Sequence, residues 1–215
     1  MRIRGLTDSM DSRLKKGLAL PVMEQFHSLQ GEGYHTGKAA NFIRIGGCDV
    51  GCHWCDVKES WDASIHPLVE VEEVVRNAAS QASRTVVITG GEPLLYNLSV
   101  LTDRLHREGS AIHLETSGAH PLSGTFDWIC LSPKKNAPPA PEFYEMADEL
   151  KIIVHKRHDF EWAEQHAAHV KAGCKRYLQP EWSNRDTVMP MVIGHAMQHP
   201  EWNISLQSHK YMNIP

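Results

Sequence analysis

Three cysteines fall in one short loop, as Cys48-x-x-x-Cys52-x-x-Cys55. Three thiolates so close can cap three irons of a cubane cluster, and the fourth iron is then left to chelate a small molecule. A structural zinc site needs four closed ligands. No second Cys or His pair follows at finger or ribbon spacing, His53 lies inside the loop, and His35 and His66 show no ligand pairing. A disulfide framework would spread its cysteines to staple distant loops. Cys130 and Cys174 stand apart from the trio and from each other, and read as core residues.

Other stretches carry chemistry at the ends of expected strands. Thr89-Gly90-Gly91-Glu92-Pro93 closes a β-branched run, and paired glycines there permit backbone conformations closed to other residues and the close approach of a ligand. Leu29-Gln30-Gly31-Glu32-Gly33-Tyr34-His35-Thr36-Gly37 is a glycine-rich turn able to present backbone donors and one carboxylate. No Gly-Lys-[Ser/Thr] follows it, so it is not a phosphate loop. Glu115-Thr116-Ser117-Gly118 and Leu131-Ser132-Pro133-Lys134 end two further strands in small and polar residues. Strands that all end in this way suit a pocket along one rim of a sheet.

The elements that position these residues alternate along the chain. Strands are expected at Val22–His27, Asn41–Ile45, Thr85–Thr89, Ala111–Glu115, Asp127–Leu131, Leu150–Val154, Arg176–Gln179 and Asn203–Gln207. Helical character lies at Pro67–Arg76, Pro93–Arg107, Phe160–Gly173 and Asp186–Gln198, the last interrupted by Pro190. This alternation implies an α/β fold with βα units and a mostly parallel open sheet. About six clear βα pairs fall short of eight, so a partial, incomplete βα barrel is expected. Residues 1–20 read as a flexible N-terminal arm, and 21–215 as one domain. The tail, with a last strand running into His209 and an ending at Pro215, reads as docked.

Bulk properties narrow the class. A hydrophobic content of 41% suits a globular chain, and a net charge of −4 argues against a broad nucleic-acid footprint. No apolar run reaches the length of a membrane span, and Gly17–Met23 lacks the length and cleavage site of a signal h-region. A cytoplasmic enzyme with no membrane or nucleic-acid partner is expected.

Taken together, the Cys loop after a strand, Trp54 just before the last Cys, and Thr89–Pro93 resemble the radical S-adenosylmethionine superfamily. In that superfamily the open iron of a [4Fe–4S] cluster chelates the methionine moiety, and reductive cleavage yields a 5′-deoxyadenosyl radical that abstracts hydrogen. From about Met23 to Pro215 the chain further resembles the 7-carboxy-7-deazaguanine synthase family of 7-deazapurine (queuosine) biosynthesis. That resemblance rests on Phe26–Gly33, Phe42–Arg44, the Cys loop, Thr89–Pro93, Glu115–Gly118, Ser132–Lys134 and His209–Pro215.

The resemblance implies a carbon–nitrogen lyase that converts 6-carboxy-5,6,7,8-tetrahydropterin to 7-carboxy-7-deazaguanine with loss of ammonia. It also implies a shortened barrel, a homodimer and an electron donor such as flavodoxin. Cys48, Cys52 and Cys55 would hold the cluster. Trp54, Gly90, Gly91, Glu92, Gly118, Ser132, Pro133, Lys134, Gln179 and Pro180 would hold S-adenosylmethionine, with Trp54 against the adenine. Leu29, Gln30, Gly31, Glu32, Thr116, His209 and the Pro215 carboxylate would hold the pterin, and Arg44 would pair with its carboxylate.

One position departs from the family. Two residues beyond the last Cys the family usually has Thr, whose hydroxyl ligates Mg²⁺; this chain has Val57, which offers no side-chain oxygen. Either water and substrate oxygens fill the gap, or Asp56 or Ser60 substitutes, or Mg²⁺ matters little. A weakened Mg²⁺ site with activity retained is expected. Two rivals are a glycyl-radical activating enzyme, which shares the cluster but acts on a protein, and a non-catalytic zinc or iron–sulfur interaction domain.

Overall fold

The computed structural model describes residues 8–215, with side chains from Ser12 onward. Nine strands form one sheet: β1 (Ala19–Leu29), β2 (Ala39–Ile45), β3 (Leu68–Glu70), β4 (Thr85–Gly90), β5 (Ala111–Thr116), β6 (Trp128–Leu131), β7 (Glu149–Val154), β8 (Lys175–Pro180) and β9 (Trp202–Ile204). Their order is β3-β1-β2-β4-β5-β6-β7-β8-β9. β1 pairs antiparallel with β2 and β3, and every other neighbour is parallel. The sheet has two different edges and is therefore open. The helices are α1 (Asp8–Lys15), α2 (Val71–Ala79), α3 (Ser99–Arg107), α4 (Glu142–Met146), α5 (Asp159–Ala167), α6 (Arg185–Gln198) and α7 (Ser208–Met212). None of them is long and apolar enough to cross a membrane.

Side chains alternate between faces of a strand, and this alternation sorts the sheet. Ile43, Ile88, Ile112, Leu114, Leu150, Ile152 and Leu178 have no solvent exposure and belong to the core shared with the helices. α2 adds Val71, Val74 and Val75, and α3 adds Leu101 and Leu105. The intervening positions, Arg44, Thr89, Glu115, Lys151, Ile153 and Gln179, point to the other face and line a cavity. A separate apolar cluster of Ala40, Phe42 and Val87, with Phe26 packed on it, floors part of that face.

Several boundaries differ from expectation. The arm expected over residues 1–20 lies outside the described residues up to residue 7. From Asp8 the chain is helical, and Ala19 and Leu20 are fully buried in β1. Leu68–Glu70 (β3) is a strand beyond the eight expected because it pairs with Ala19–Pro21, which delays α2 to Val71. The helix expected from Pro93 is instead a 3-10 turn, Pro93–Leu95, and then α3. Asn97 Oδ1 accepts from the Ser99 amide at 3.0 Å, a local bond that restarts the helix after the turn. α6 runs continuously through Pro190. The last strand ends at Ile204, and the tail turns as α7, closed by Asn213 at a φ of 54°.

Candidate functional site

The cavity, of about 270 Å³, lies where β2, β4, β5, β7 and β8 hand over to their loops. The Cys loop follows β2 and packs directly on the turn after β4. Gly91 N donates to Ile45 O and Glu92 N to Gly47 O, both at 2.9 Å. A Cβ on Gly91 would stand 2.2 Å from Gly47 O and 2.8 Å from Cys48 Cβ, and one on Gly90 would stand 2.1 Å from Ile45 O. The glycine pair is therefore required by the contact between two loops, besides any ligand. Tyr96 Oη donates to Gly46 O at 2.9 Å, and His120 Nε2 pairs with Asp49 Oδ1 at 2.9 Å, which fixes the loop from outside.

Cys48, Cys52 and Cys55 are all free, half-buried and on the cavity wall. Burial pushes the Cys48 thiol up; it does the same to Cys52, where Lys134 pulls the other way. A tetrahedral zinc at roughly 2.3 Å from each thiolate would draw the sulfurs to about 3.8 Å. Three thiols of one loop leave zinc short of its fourth closed ligand, whereas they suffice for three irons of a cubane cluster. The donor set, three thiols of one loop open to a cavity, fits an iron–sulfur cluster with one free iron.

Beside the loop, Trp54 is edge-on to His53 at 4.4 Å and parallel to the His155 ring at 6.4 Å. Lys134 Nζ donates to Ser132 Oγ at 2.7 Å and to Ser132 O at 2.5 Å, and burial lowers its pKa. Glu92 is 1% exposed. Its Oε1 accepts from Thr116 Oγ1 at 2.6 Å and Leu94 N at 3.1 Å, and its Oε2 accepts from Ser117 N at 2.8 Å and Ser117 Oγ at 2.5 Å. This carboxylate ties the ends of β4 and β5 together. Gln179 accepts from Ser205 Oγ at 2.7 Å, and Pro180 follows it on the wall.

Across the cavity is a polar network. Lys151 Nζ donates to Glu32 Oε2 at 2.5 Å and stands 3.6 Å from Glu115 Oε2. Gln30 Nε2 donates to Glu115 Oε1, and Gln207 Nε2 to Glu32 Oε1, both at 2.9 Å. Burial works against a charged Lys151, but the Glu115 and Glu32 carboxylates hold its pKa well above the usual value. Burial likewise works against a charged Glu32, and Lys151 overrides it and lowers the pKa. Arg44 Nε donates to Glu24 Oε1 at 2.5 Å with its guanidinium over the Phe26 ring. His209 packs so tightly on Gly31 that a Cβ there would lie 2.1 Å from its Nδ1. Pro215 O accepts from Ser28 Oγ at 3.1 Å.

The cavity thus brings together Leu29, Gln30, Gly31, Glu32, Arg44, Val57, Thr116, His209 and Pro215 with the cysteines and with Trp54, Gly90, Gly91, Glu92, Ser132, Lys134, Gln179 and Pro180. Gly118 and Pro133 are not on its wall. Gly118 faces Leu131 and Pro139, and its amide donates to Thr116 Oγ1 at 3.0 Å. The site residues that sequence reasoning missed are Lys151, Glu181, Trp182 and Gln207, while Glu115 lay in a motif singled out there but was given no role. Each of the four is a single polar or aromatic residue, and only the strand alternation hints at Lys151. Near Val57, Ser60 Oγ donates to Val57 O at 2.6 Å. Asp56 Oδ2 accepts from Lys210 Nζ at 2.6 Å and Gln207 Nε2 at 3.1 Å.

Comparison with known proteins agrees with this geometry. The Radical SAM superfamily model matches residues 42–171. A 7-carboxy-7-deazaguanine synthase of Flavobacterium psychrophilum is 53% identical over 98% of this chain and 100% of its own, and that of Synechocystis sp. is 46% identical over 92% and 94%. The crystal structure of QueE from Escherichia coli superimposes with a TM-score of 0.79 at 31% identity, covering 94% of this chain and 100% of that one. Neither expected rival accounts for similarity along nearly the whole length. The chain belongs to the 7-carboxy-7-deazaguanine synthase family of the radical SAM superfamily.

Proposed function

We propose that this protein converts 6-carboxy-5,6,7,8-tetrahydropterin to 7-carboxy-7-deazaguanine and ammonia. The observation that carries the reading is one cavity lined both by the three cysteines and by Gln30, Glu32 and Arg44. Loss of ammonia balances the conversion, so no net oxidant is consumed.

Cys48, Cys52 and Cys55 hold the cluster, and Trp54, the Gly90–Glu92 turn, Ser132, Lys134, Gln179 and Pro180 surround S-adenosylmethionine. When bound, the two together supply a one-electron cleavage that delivers an organic radical for hydrogen abstraction. The chain's own residues bind and orient. The Arg44 guanidinium, on the strand next to Thr89, presents a planar donor fork to the substrate carboxylate. Gln30, Glu32 and Thr116 accept and donate along the polar edge of the pterin. Lys151 keeps its proton on Nζ and holds Glu32 ionised as an acceptor. His209 and α7 close the cavity against water, anchored by Ser208 N and Oγ on Gly31 O, both at 2.9 Å.

With Val57 at the usual hydroxyl position, and with Asp56 Oδ2 held by Lys210, Mg²⁺ would find no side-chain hydroxyl here and would be held weakly. The same reading includes a homodimer and a one-electron donor such as flavodoxin, checked by size-exclusion chromatography and by turnover with reduced flavodoxin. The central test is incubation of reduced, cluster-reconstituted protein with S-adenosylmethionine and the carboxytetrahydropterin. The deazaguanine chromophore and an equivalent of ammonia are expected; unchanged substrate with an intact cluster would overturn the reading.

A further inference from the structure

On the opposite side of the sheet from the cavity, α5 and α6 carry a second group of possible metal ligands. His195 and His199 are four residues apart on α6, the spacing that stacks side chains on one helix face. Their rings lie 4.2 Å apart at 18°. Glu164 of α5 faces them, its Oε1 3.0 Å from His195 Nε2. One ligand atom from each of the three residues lies within 4.8 Å of the others, and this is the one such trio of His, Cys, Asp or Glu among the described residues. We propose that Glu164, His195 and His199 bind a divalent transition-metal ion of the zinc class and so bridge α5 to α6.

The donor set, two imidazoles and one carboxylate, is the borderline nitrogen and oxygen set that zinc accepts, with a fourth position open to water. The spacing fits. Bonds of roughly 2.1 Å separate adjacent ligand atoms by about 3.0 Å at a right angle and about 3.4 Å in a tetrahedron. The observed 3.0 Å between Glu164 and His195 falls at the near end of that range. His199 caps the end of α6 with a side chain 42% exposed, so a rotation of its ring closes the remaining gap.

Outer contacts already orient the ligands, as they do around metal centres. Trp202 Nε1 donates to Glu164 Oε1 at 2.8 Å, Phe160 stacks on His195 at 4.5 Å, and Glu201 Oε1 stands 3.9 Å from His199 Nδ1. None of the three ligands lines the catalytic cavity, so occupancy here is separable from the radical chemistry.

The test uses cluster-reconstituted protein, in which the three loop cysteines are already committed. Zinc is titrated against a chromophoric chelator, and its first shell is read by X-ray absorption at the zinc edge. One equivalent with a nitrogen and oxygen shell containing imidazole, and a raised Tm, is expected. His199→Ala and Glu164→Gln should each weaken zinc binding by about tenfold or more while leaving iron content and turnover unchanged. No zinc uptake, sulfur in the first shell, or equal binding by both variants would overturn the proposal. The shell measurement on the unsubstituted protein stands even if a variant folds poorly.

Discussion

Lys151 and Glu32, 119 positions apart in the chain, meet across 2.5 Å on the cavity wall. Glu32 reaches the pair from the turn after β1 and Lys151 from the middle of β7. With Glu115 beside them, two carboxylates share one buried cation, and each charge offsets the burial of the other.

Lys151→Met should therefore cost stability as well as turnover. Removing one partner of a buried pair leaves charge uncompensated, worth about 3–5 kcal/mol. Urea unfolding should show the loss in its midpoint, and an unchanged midpoint would mean that the carboxylates are neutralised in another way.

Gly91→Ala tests the contact between the β4 turn and the Cys loop. A Cβ at 2.2 Å from Gly47 O must push the loop outward. The expected result is a folded protein with a normal far-ultraviolet spectrum that retains much less iron after reconstitution. Full iron content would show that the loop yields without harm.

Arg44→Lys keeps the charge but removes the planar fork. A rise of about tenfold or more in KM for the carboxylated pterin is expected, with a smaller change in kcat. A kcat defect alone would assign Arg44 to the chemical step instead.

Val57→Thr should restore the missing hydroxyl at the cavity wall. Turnover after chelation and Mg²⁺ titration should saturate at lower Mg²⁺ in the variant than in the parent. A tight, strict Mg²⁺ requirement in the unsubstituted protein would contradict the weak site proposed above.

Acid should destabilise the fold through buried histidines. Burial lowers His166 and His35 from 6.5 to about 4, the latter also through His113. Both stay neutral in the folded state while the unfolded chain takes up protons. Their contribution is thus present above pH 6.5 and is lost as the pH falls toward about 4. His166 is 8% exposed and bonded to Tyr144 Oη at 2.8 Å, which makes its share on the order of 2 kcal/mol. His166→Gln should flatten the slope of stability against pH in that window; an unaltered slope would place the loss elsewhere.

Much of the site was legible because its chemistry is contiguous. The Cys loop, Thr89–Pro93 and Gln30–Gly33 each lie within one turn of chain, so spacing along the sequence is also spacing in space. The eight expected strands all occur, since alternation and β-branching are local signals. Other features depend on partners distant in sequence. Leu68–Glu70 became a strand only by pairing with β1, and the tail turned into α7 where Ser208 found Gly31. Gly118 fits its motif, yet it faces Leu131 and Pro139 and not the cavity. By itself the sequence determined the crowding of three cysteines on one loop, the order of βα units and the departure at Val57. Only the tertiary structure decided that Lys151, Glu115 and Gln207 converge on Glu32, because single polar residues on separate strands and turns share a site only once the sheet sets their register and face.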